Sequence, residues 1–252
     1  MGKLHHPIFA PSDALRAWSI RDSMDLYHVR NWGAGYFDIN DAGNVCVHPQ
    51  GLNGTGLDLK QIVDELRRRG IHLPILIRFS DILRSRIDTL NEAFQSAMRE
   101  CGYRGKYLGV YPIKVNQQSH VVEEIVAHGS KYNYGLEAGS KTELMIVLAL
   151  MDNPNSLIIC NGYKDSEYIE LALLATKIGK QLILVVEKHS EIPLILEQAR
   201  KLNVVPHIGV RSRLTSRGAG KWEASGGDRS KFGLNVRELM KTIELLRQED
   251  ML

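Results

Sequence analysis

Lys114 is the residue of this 252-residue chain best placed for covalent chemistry. It stands in Tyr111-Pro-Ile-Lys114-Val-Asn-Gln, near the end of an apolar run that begins at Tyr107. A lysine there ordinarily sends its ammonium to water, because Lys is rarely buried without a partner. Held at a partly desolvated, polar-lined mouth, an amine can instead shed its proton and attack a carbonyl carbon, which is Schiff-base chemistry. Pro112 cannot donate to a strand ladder, so it predicts an irregularity that re-aims the neighbouring lysine. Polar side chains close the later apolar runs in the same manner: Glu137, Asn161, Glu187, and Arg211 with Arg213.

Other patterns lack the residues their chemistry requires. Gly33-Ala-Gly35 has Asp38 where a dinucleotide loop needs its third Gly. Gly220-Lys221 has Thr215 in place of the upstream Gly and Trp222 in place of Ser or Thr, so it is no phosphate loop. The polar, Gly-rich segment Leu214 to Gly233 is long for a strand-to-helix connection, which favours an active-site loop over a solvated one. Arg67-Arg68-Arg69 precedes Gly70 and reads as a helix end, not a phosphate contact. No histidine pair has the i, i+4 spacing of a helical zinc site, and no metal site is expected. Cys46, Cys101 and Cys160 lie too far apart in sequence for a zinc knuckle or disulfide framework, so reduced cytoplasmic thiols are expected. A formal net charge of +3 argues against nucleic acid as a partner. Apolar runs fall well short of the roughly 18 residues a membrane span needs. The expectation is a soluble protein with no targeting element and no membrane partner.

The elements that must position these residues follow a rhythm. Strand-like runs begin near Tyr107, Asn133, Leu157, Gln181 and Pro206, at intervals of about 25 residues, and an amphipathic pattern follows each. Ser140-Lys-Thr-Glu143 and Asn235-Val-Arg-Glu238 mark two helix starts as capping boxes, the second weaker. Alternating strands and helices predict βαβ crossovers, a parallel sheet and the α/β class. Periodicity alone leaves open a doubly wound sheet and part of a closed (β/α)8 barrel; five polar strand ends favour the barrel, with its chemistry at that rim. An incomplete (β/α)8 barrel of the first five βα units is then expected, and the chain is expected to be a fragment.

The first hundred residues differ. Tyr36-Phe-Asp-Ile and Asn44-Val-Cys-Val predict a hairpin around Asp41-Ala-Gly43, and Gly51 to Gly56 reads as a loop. Apolar stripes at Leu59, Ile62, Val63, Leu66 and at Ile82, Ile87, Leu90, Phe94, Met98 predict two helices. The expected divisions are 1–56, contributing strands to a β-rich second domain, a helical segment 57–106, and the truncated barrel 107–252.

NWGAGYFDIN, YPIKVNQ, LEAGSKTEL, IICNGYKD, NVVPHIGVRSRL and GKWEASGGDRSKFGL, in that order, resemble the biosynthetic arginine decarboxylases, pyridoxal-phosphate enzymes of the alanine racemase-like barrel group. The resemblance runs from about Trp18 to Leu234. It implies a (β/α)8 barrel with a β-rich domain, in which Lys114 forms the internal aldimine with pyridoxal 5'-phosphate. It implies that Glu137 lies near that lysine, that Arg211 faces the cofactor, and that Ser230-Lys-Phe-Gly233 lies near the site. The group's later histidine, phosphate-binding Gly-rich loop, pyridine-facing glutamate and cysteine–aspartate pair are not found up to Leu252. Little turnover is therefore expected of these residues alone. The implied reaction is decarboxylation of L-arginine to agmatine and CO2, feeding putrescine and spermidine synthesis. Sites across a homo-oligomer interface are implied, with magnesium (Mg2+) in some relatives. The alternatives are an ornithine, lysine or diaminopimelate decarboxylase, or a non-catalytic pyridoxal-phosphate-binding protein on the same scaffold.

Overall fold

Polar side chains set the turns of the early chain. In the computed structural model, which describes residues 17–213, 233–249 and 251, Ser19 and Asp22 form a capping box that starts α1 (Ile20–Leu26). A second short helix, α2 (Val29–Gly33), stops where Ala34 and Gly35 turn to positive φ. The expected hairpin follows as β1 (Phe37–Ile39) and β2 (Val45–Val47), paired antiparallel. Asn40 closes its turn by accepting the N–H groups of Ala42 and Asn44 on Oδ1 at 3.1 and 2.9 Å. A two-residue strand, β3 (Leu57–Asp58), adds to β2 and gives the order β1-β2-β3.

Asp58 then caps α3 (Leu59–Arg68), accepting the N–H groups of Lys60 and Gln61 on one oxygen and the side-chain amides of Asn40 and Asn44 on the other. The Asn44 bond leads the donors that hold its carboxyl below the usual range. Helix α4 (Ser80–Glu100) buries Ile87 and Asn91 but leaves Leu90 and Phe94 partly exposed, with Phe94 stacked on Tyr107 at 3.9 Å. Its apolar stripe is thus only partly a core face. The chain forms two compact units, Met1–Ser85 and Arg86–Leu252.

In the second unit β4 (Val110–Pro112), β5 (Gly135–Ala138), β6 (Leu157–Cys160), β7 (Gln181–Val186) and β8 (His207–Val210) form one parallel sheet in sequential order. Between them run α5 (Ser119–Gly129), α6 (Lys141–Leu150), α7 (Ser166–Lys177) and α8 (Glu191–Leu202), and α9 (Val236–Gln248) comes after β8. Sequential order separates the two architectures the periodicity left open. A doubly wound sheet reverses its order at a switch point, whereas a barrel grows by adding each strand beside the last. The architecture is the first five βα units of an incomplete (β/α)8 barrel.

Alternation along the strands sends one set of residues under the helices. Ile158, Cys160, Leu182, Leu184 and Val186 are buried, while their neighbours Ile159, Ile183 and Val185 are half-buried. They pack with Leu144 and Val147 of α6, Ile169 and Leu173 of α7, and Ile192 and Ile195 of α8 in one core. The two capping boxes separate in an unexpected direction. Asn235 and Glu238 form a complete one. At Ser140 only half forms: Ser140 accepts the N–H of Glu143, but Glu143 Oε2 reaches past it to the N–H of Gly139 at 2.7 Å. Glu143 Oε1 accepts from Gln117 at 2.8 Å, so this carboxylate joins the loops after β4 and β5 instead of only closing a helix.

Candidate active site

The site is assembled from strand ends. At Pro112 the ladder of β4 stops and the chain tightens into one 3₁₀ turn, Ile113–Val115. Ile113 is buried and Val115 exposed, so the turn is pinned on one side and presents Lys114 on the other. The expected irregularity lies here: Lys114 rides on the turn after the strand, not within it. Its side chain is 61% exposed and its Nζ stands 3.5 Å from Glu137 Oε1. The desolvated mouth expected around this amine is replaced by an open position beside a carboxylate.

Register explains the meeting. Pro112 pairs with Glu137 across β4 and β5, and Glu137 with Ile159 across β5 and β6. Asn161, just past β6, donates Nδ2 to Glu137 Oε1 at 3.1 Å. Glu137 is buried, and its second oxygen, Oε2, has no hydrogen-bond partner among the described residues. Around the rim, Glu187 follows β7 and accepts on Oε1 from Arg211 Nη1 at 2.9 Å. Lys114, Glu137 and Asn161 thus form one group, and Glu187 with Arg211 a second. No described contact joins Arg211 to Lys114.

The segment from Leu214 to Phe232, with Gly220-Lys221 and Ser230-Lys-Phe, lies outside the described residues. Its flanks are fixed: Leu234 N–H donates to Arg211 O at 2.7 Å, Arg213 N–H to Leu234 O at 2.8 Å, and Gly233 N–H to Glu187 O at 3.1 Å. Gly233, the last residue of the Ser230-Lys-Phe-Gly motif, is therefore tied to the Glu187–Arg211 group.

Below the rim lie groups that sequence reading did not single out. Tyr168 is buried and donates its hydroxyl to Ala138 O at 2.9 Å. Burial pushes its phenol, and the Cys160 thiol, well up, the latter to about 12. Gly162 has φ +77°, and a Cβ there would stand 2.0 Å from Gly139 O. Only glycine lets the turns after β5 and β6 approach so closely. Among the described residues no three His, Cys, Asp or Glu side chains gather to hold a metal.

A carbonyl-bearing cofactor suits this rim. An exposed amine beside a carboxylate can meet a carbonyl carbon, and the buried unpartnered Glu137 Oε2 is an acceptor that a ligand donor would satisfy. Comparison with known proteins agrees. Residues 86–252 match the family model described as pyridoxal-dependent decarboxylase, pyridoxal binding domain, the same span as the second compact unit.

The chain is 52% identical over 238 residues to a biosynthetic arginine decarboxylase of Gloeobacter violaceus, covering 94% of this chain and 37% of that protein. It is 53% identical over 237 residues to one of Phocaeicola vulgatus, covering 94% and 38%. The chain thus spans little more than a third of the length of these curated relatives. Among solved structures it is similar to the biosynthetic arginine decarboxylase from Campylobacter jejuni, with TM-score 0.77 and 34% identity over 89% of this chain and 36% of that one. A diaminopimelate decarboxylase from M. jannaschi, at TM-score 0.61 and 22% identity over 85% of this chain and 45% of that one, shares the fold. From residue 86 onward the sheet, its rim and the family match coincide, and the chain belongs to the pyridoxal-dependent decarboxylases through their pyridoxal-binding domain.

Proposed function

We propose that this chain carries the lysine-bearing part of an arginine decarboxylase, converting L-arginine to agmatine and CO2 with pyridoxal 5'-phosphate and serving putrescine and spermidine synthesis. The observation that carries it is Lys114 Nζ standing 3.5 Å from Glu137 Oε1 at the carboxyl rim of a pyridoxal-binding domain. Relatives named for arginine at about half identity support the substrate. When bound, the cofactor supplies a conjugated ring that accepts the electron pair freed as the carboxylate leaves.

In this reading the protein's own groups hold and orient. Lys114 would hold the cofactor through Nζ. Glu137 sets Oε1 3.5 Å from that nitrogen, and Asn161 fixes the same oxygen by donating to it at 3.1 Å. Arg211, steadied by Glu187, would supply a cation to the cofactor. Residues 1–56 would belong with a β-rich domain, 57–106 would lead into the barrel, and 107–252 would be its first part. A homo-oligomer is proposed, with magnesium as an accessory ion. Three free thiols suit a reducing compartment such as the cytoplasm, and no described helix is long and apolar enough to cross a membrane. Nucleic acid is not proposed as a partner.

Borohydride reduction of a protein of the relatives' full length with pyridoxal phosphate, followed by peptide mapping, tests the reading. The label is expected on Lys114 and lost in Lys114→Ala. A label on another lysine, or none, overturns it. A panel of arginine, ornithine, lysine and diaminopimelate on a protein of the relatives' full length decides the substrate. The 252 residues alone are expected to turn over little arginine, and turnover at a complete enzyme's rate contradicts this.

A further inference from the structure

The floor beneath the rim holds two charges that the proposed chemistry leaves unused. Lys164 follows β6 in Asn161-Gly-Tyr-Lys164, Glu191 opens α8, and their exposures are 0% and 1%. Lys164 Nζ donates to Gly162 O at 2.7 Å and to Glu191 Oε2 at 3.2 Å. The same oxygen accepts the backbone N–H of Glu187 at 3.0 Å. One carboxylate oxygen therefore ties the end of β7 to the turn after β6. Tyr168 extends the layer, donating to Ala138 O and lying 3.2 Å from Asn161 O. The residues so tethered, Asn161 and Glu187, are those whose side chains meet Glu137 and Arg211.

Stability explains this pair poorly. Both ions are stripped of water, and Glu191 Oε1 is buried with no partner among the described residues, so part of the desolvation cost goes uncompensated. Well-packed apolar residues of similar volume often hold a fold equally well. What they cannot do is accept the Glu187 N–H or donate to Gly162 O, and both bonds act on backbone at the mouth of the site. We propose that Lys164 and Glu191 are positioning residues, whose buried pair fixes the carboxyl ends of β6 and β7 and so aims Asn161 at Glu137 and Glu187 at Arg211. For its effect on cofactor binding this rests on the reading of the rim as a pyridoxal phosphate site; its effect on the backbone does not.

Two double variants test it, Lys164→Met/Glu191→Leu and Lys164→Met/Glu191→Gln, made in a protein of the relatives' full length. Amide hydrogen exchange at Glu187 and absorbance titration with pyridoxal phosphate are the readouts, with thermal unfolding as a check on the fold. In the apolar variant, Glu187 exchange is expected to speed at least tenfold while Leu184 is unchanged, and the pyridoxal phosphate dissociation constant to rise about tenfold with a similar melting temperature. The Gln variant keeps an acceptor for Glu187, so its slow exchange should return while the lost tie to Gly162 leaves affinity only partly restored. Wild-type exchange and affinity in the apolar variant overturn the proposal. If the apolar variant unfolds, the Gln variant decides: loss of Glu187 protection there contradicts the tether. If the unaltered protein of that length binds no pyridoxal phosphate, the functional reading fails, and exchange at Glu187 still decides the positioning role.

Discussion

Burial decides which thiols of this chain can react. Cys101 is exposed on the surface, whereas Cys46 and Cys160 are buried. Desolvation raises both buried thiols, Cys160 to about 12, and at Cys46 the nearby Asp58 and Asp38 charges add to it. The thiolate is the reactive form, so at pH 8 the native protein should take up one equivalent of an alkylating reagent quickly, and all three only after unfolding. Mass spectrometry of briefly treated protein checks this, and fast modification of Cys160 would contradict the burial argument. At the same scale the sequence disclosed the rim but not the floor. Lys114, Glu137 and Arg211 were legible because each closes an apolar run or stands in a recognisable motif. Lys164 and Glu191, separated by 27 positions, were not, since an acidic residue in a helix's first turn looks like an ordinary helix-dipole partner.

Among the elements, α4 is tied to α5 and the turn after it through the Asp88 carboxylate. Asp88 Oδ1 lies 2.9 Å from His128 Nε2 on α5, and 2.9 Å from Tyr132 Oη and 2.8 Å from Lys131 Nζ on the turn that follows. Burial alone would raise the Asp88 carboxyl, but donation from Lys131, His128 and Tyr132 more than offsets it and holds the carboxyl below the usual range. A carboxyl lowered by folding contributes stability above its unfolded value of about 3.9, and that contribution fades as pH falls through the folded value. Asp88→Asn should therefore cost about 2 kcal/mol near neutrality, from weakened bonds to a charged acceptor, with the difference shrinking below about pH 4. Urea unfolding of both proteins at pH 7 and pH 3 measures it, and a gap that widens in acid is the contrary result. Strand starts at Leu157 and Gln181 were legible because an unbroken apolar run opens at the first and directly after the second. The two-residue β3 was not, because a strand so short carries no period. The destination of Glu143 was hidden for a different reason: its capping-box spacing is real, yet the loop geometry at Gly139 offered a better donor.

For the molecule as a whole, the parallel sheet sets the remaining behaviour. Its order runs from β4 to β8, and no described strand pairs beyond either end. Pro112 blunts β4, since it has no N–H to offer a neighbour. Among the described residues β8, His207–Val210, has no strand on its outer side, although Leu234 bridges Ser212 just past its end, and an unblunted edge is a template for another chain. With β4 blunted, β8 of one copy meets β8 of another, and such a two-fold contact stops at two copies. The 252-residue protein should therefore show a mass that rises from 28.4 kDa and levels at twice that value as concentration rises, when followed by light scattering behind a sizing column. A constant monomer mass would mean that β8 is protected in solution. A mass that climbs without a plateau would instead mean that the β4 edge pairs as well, against the blunting assigned to Pro112.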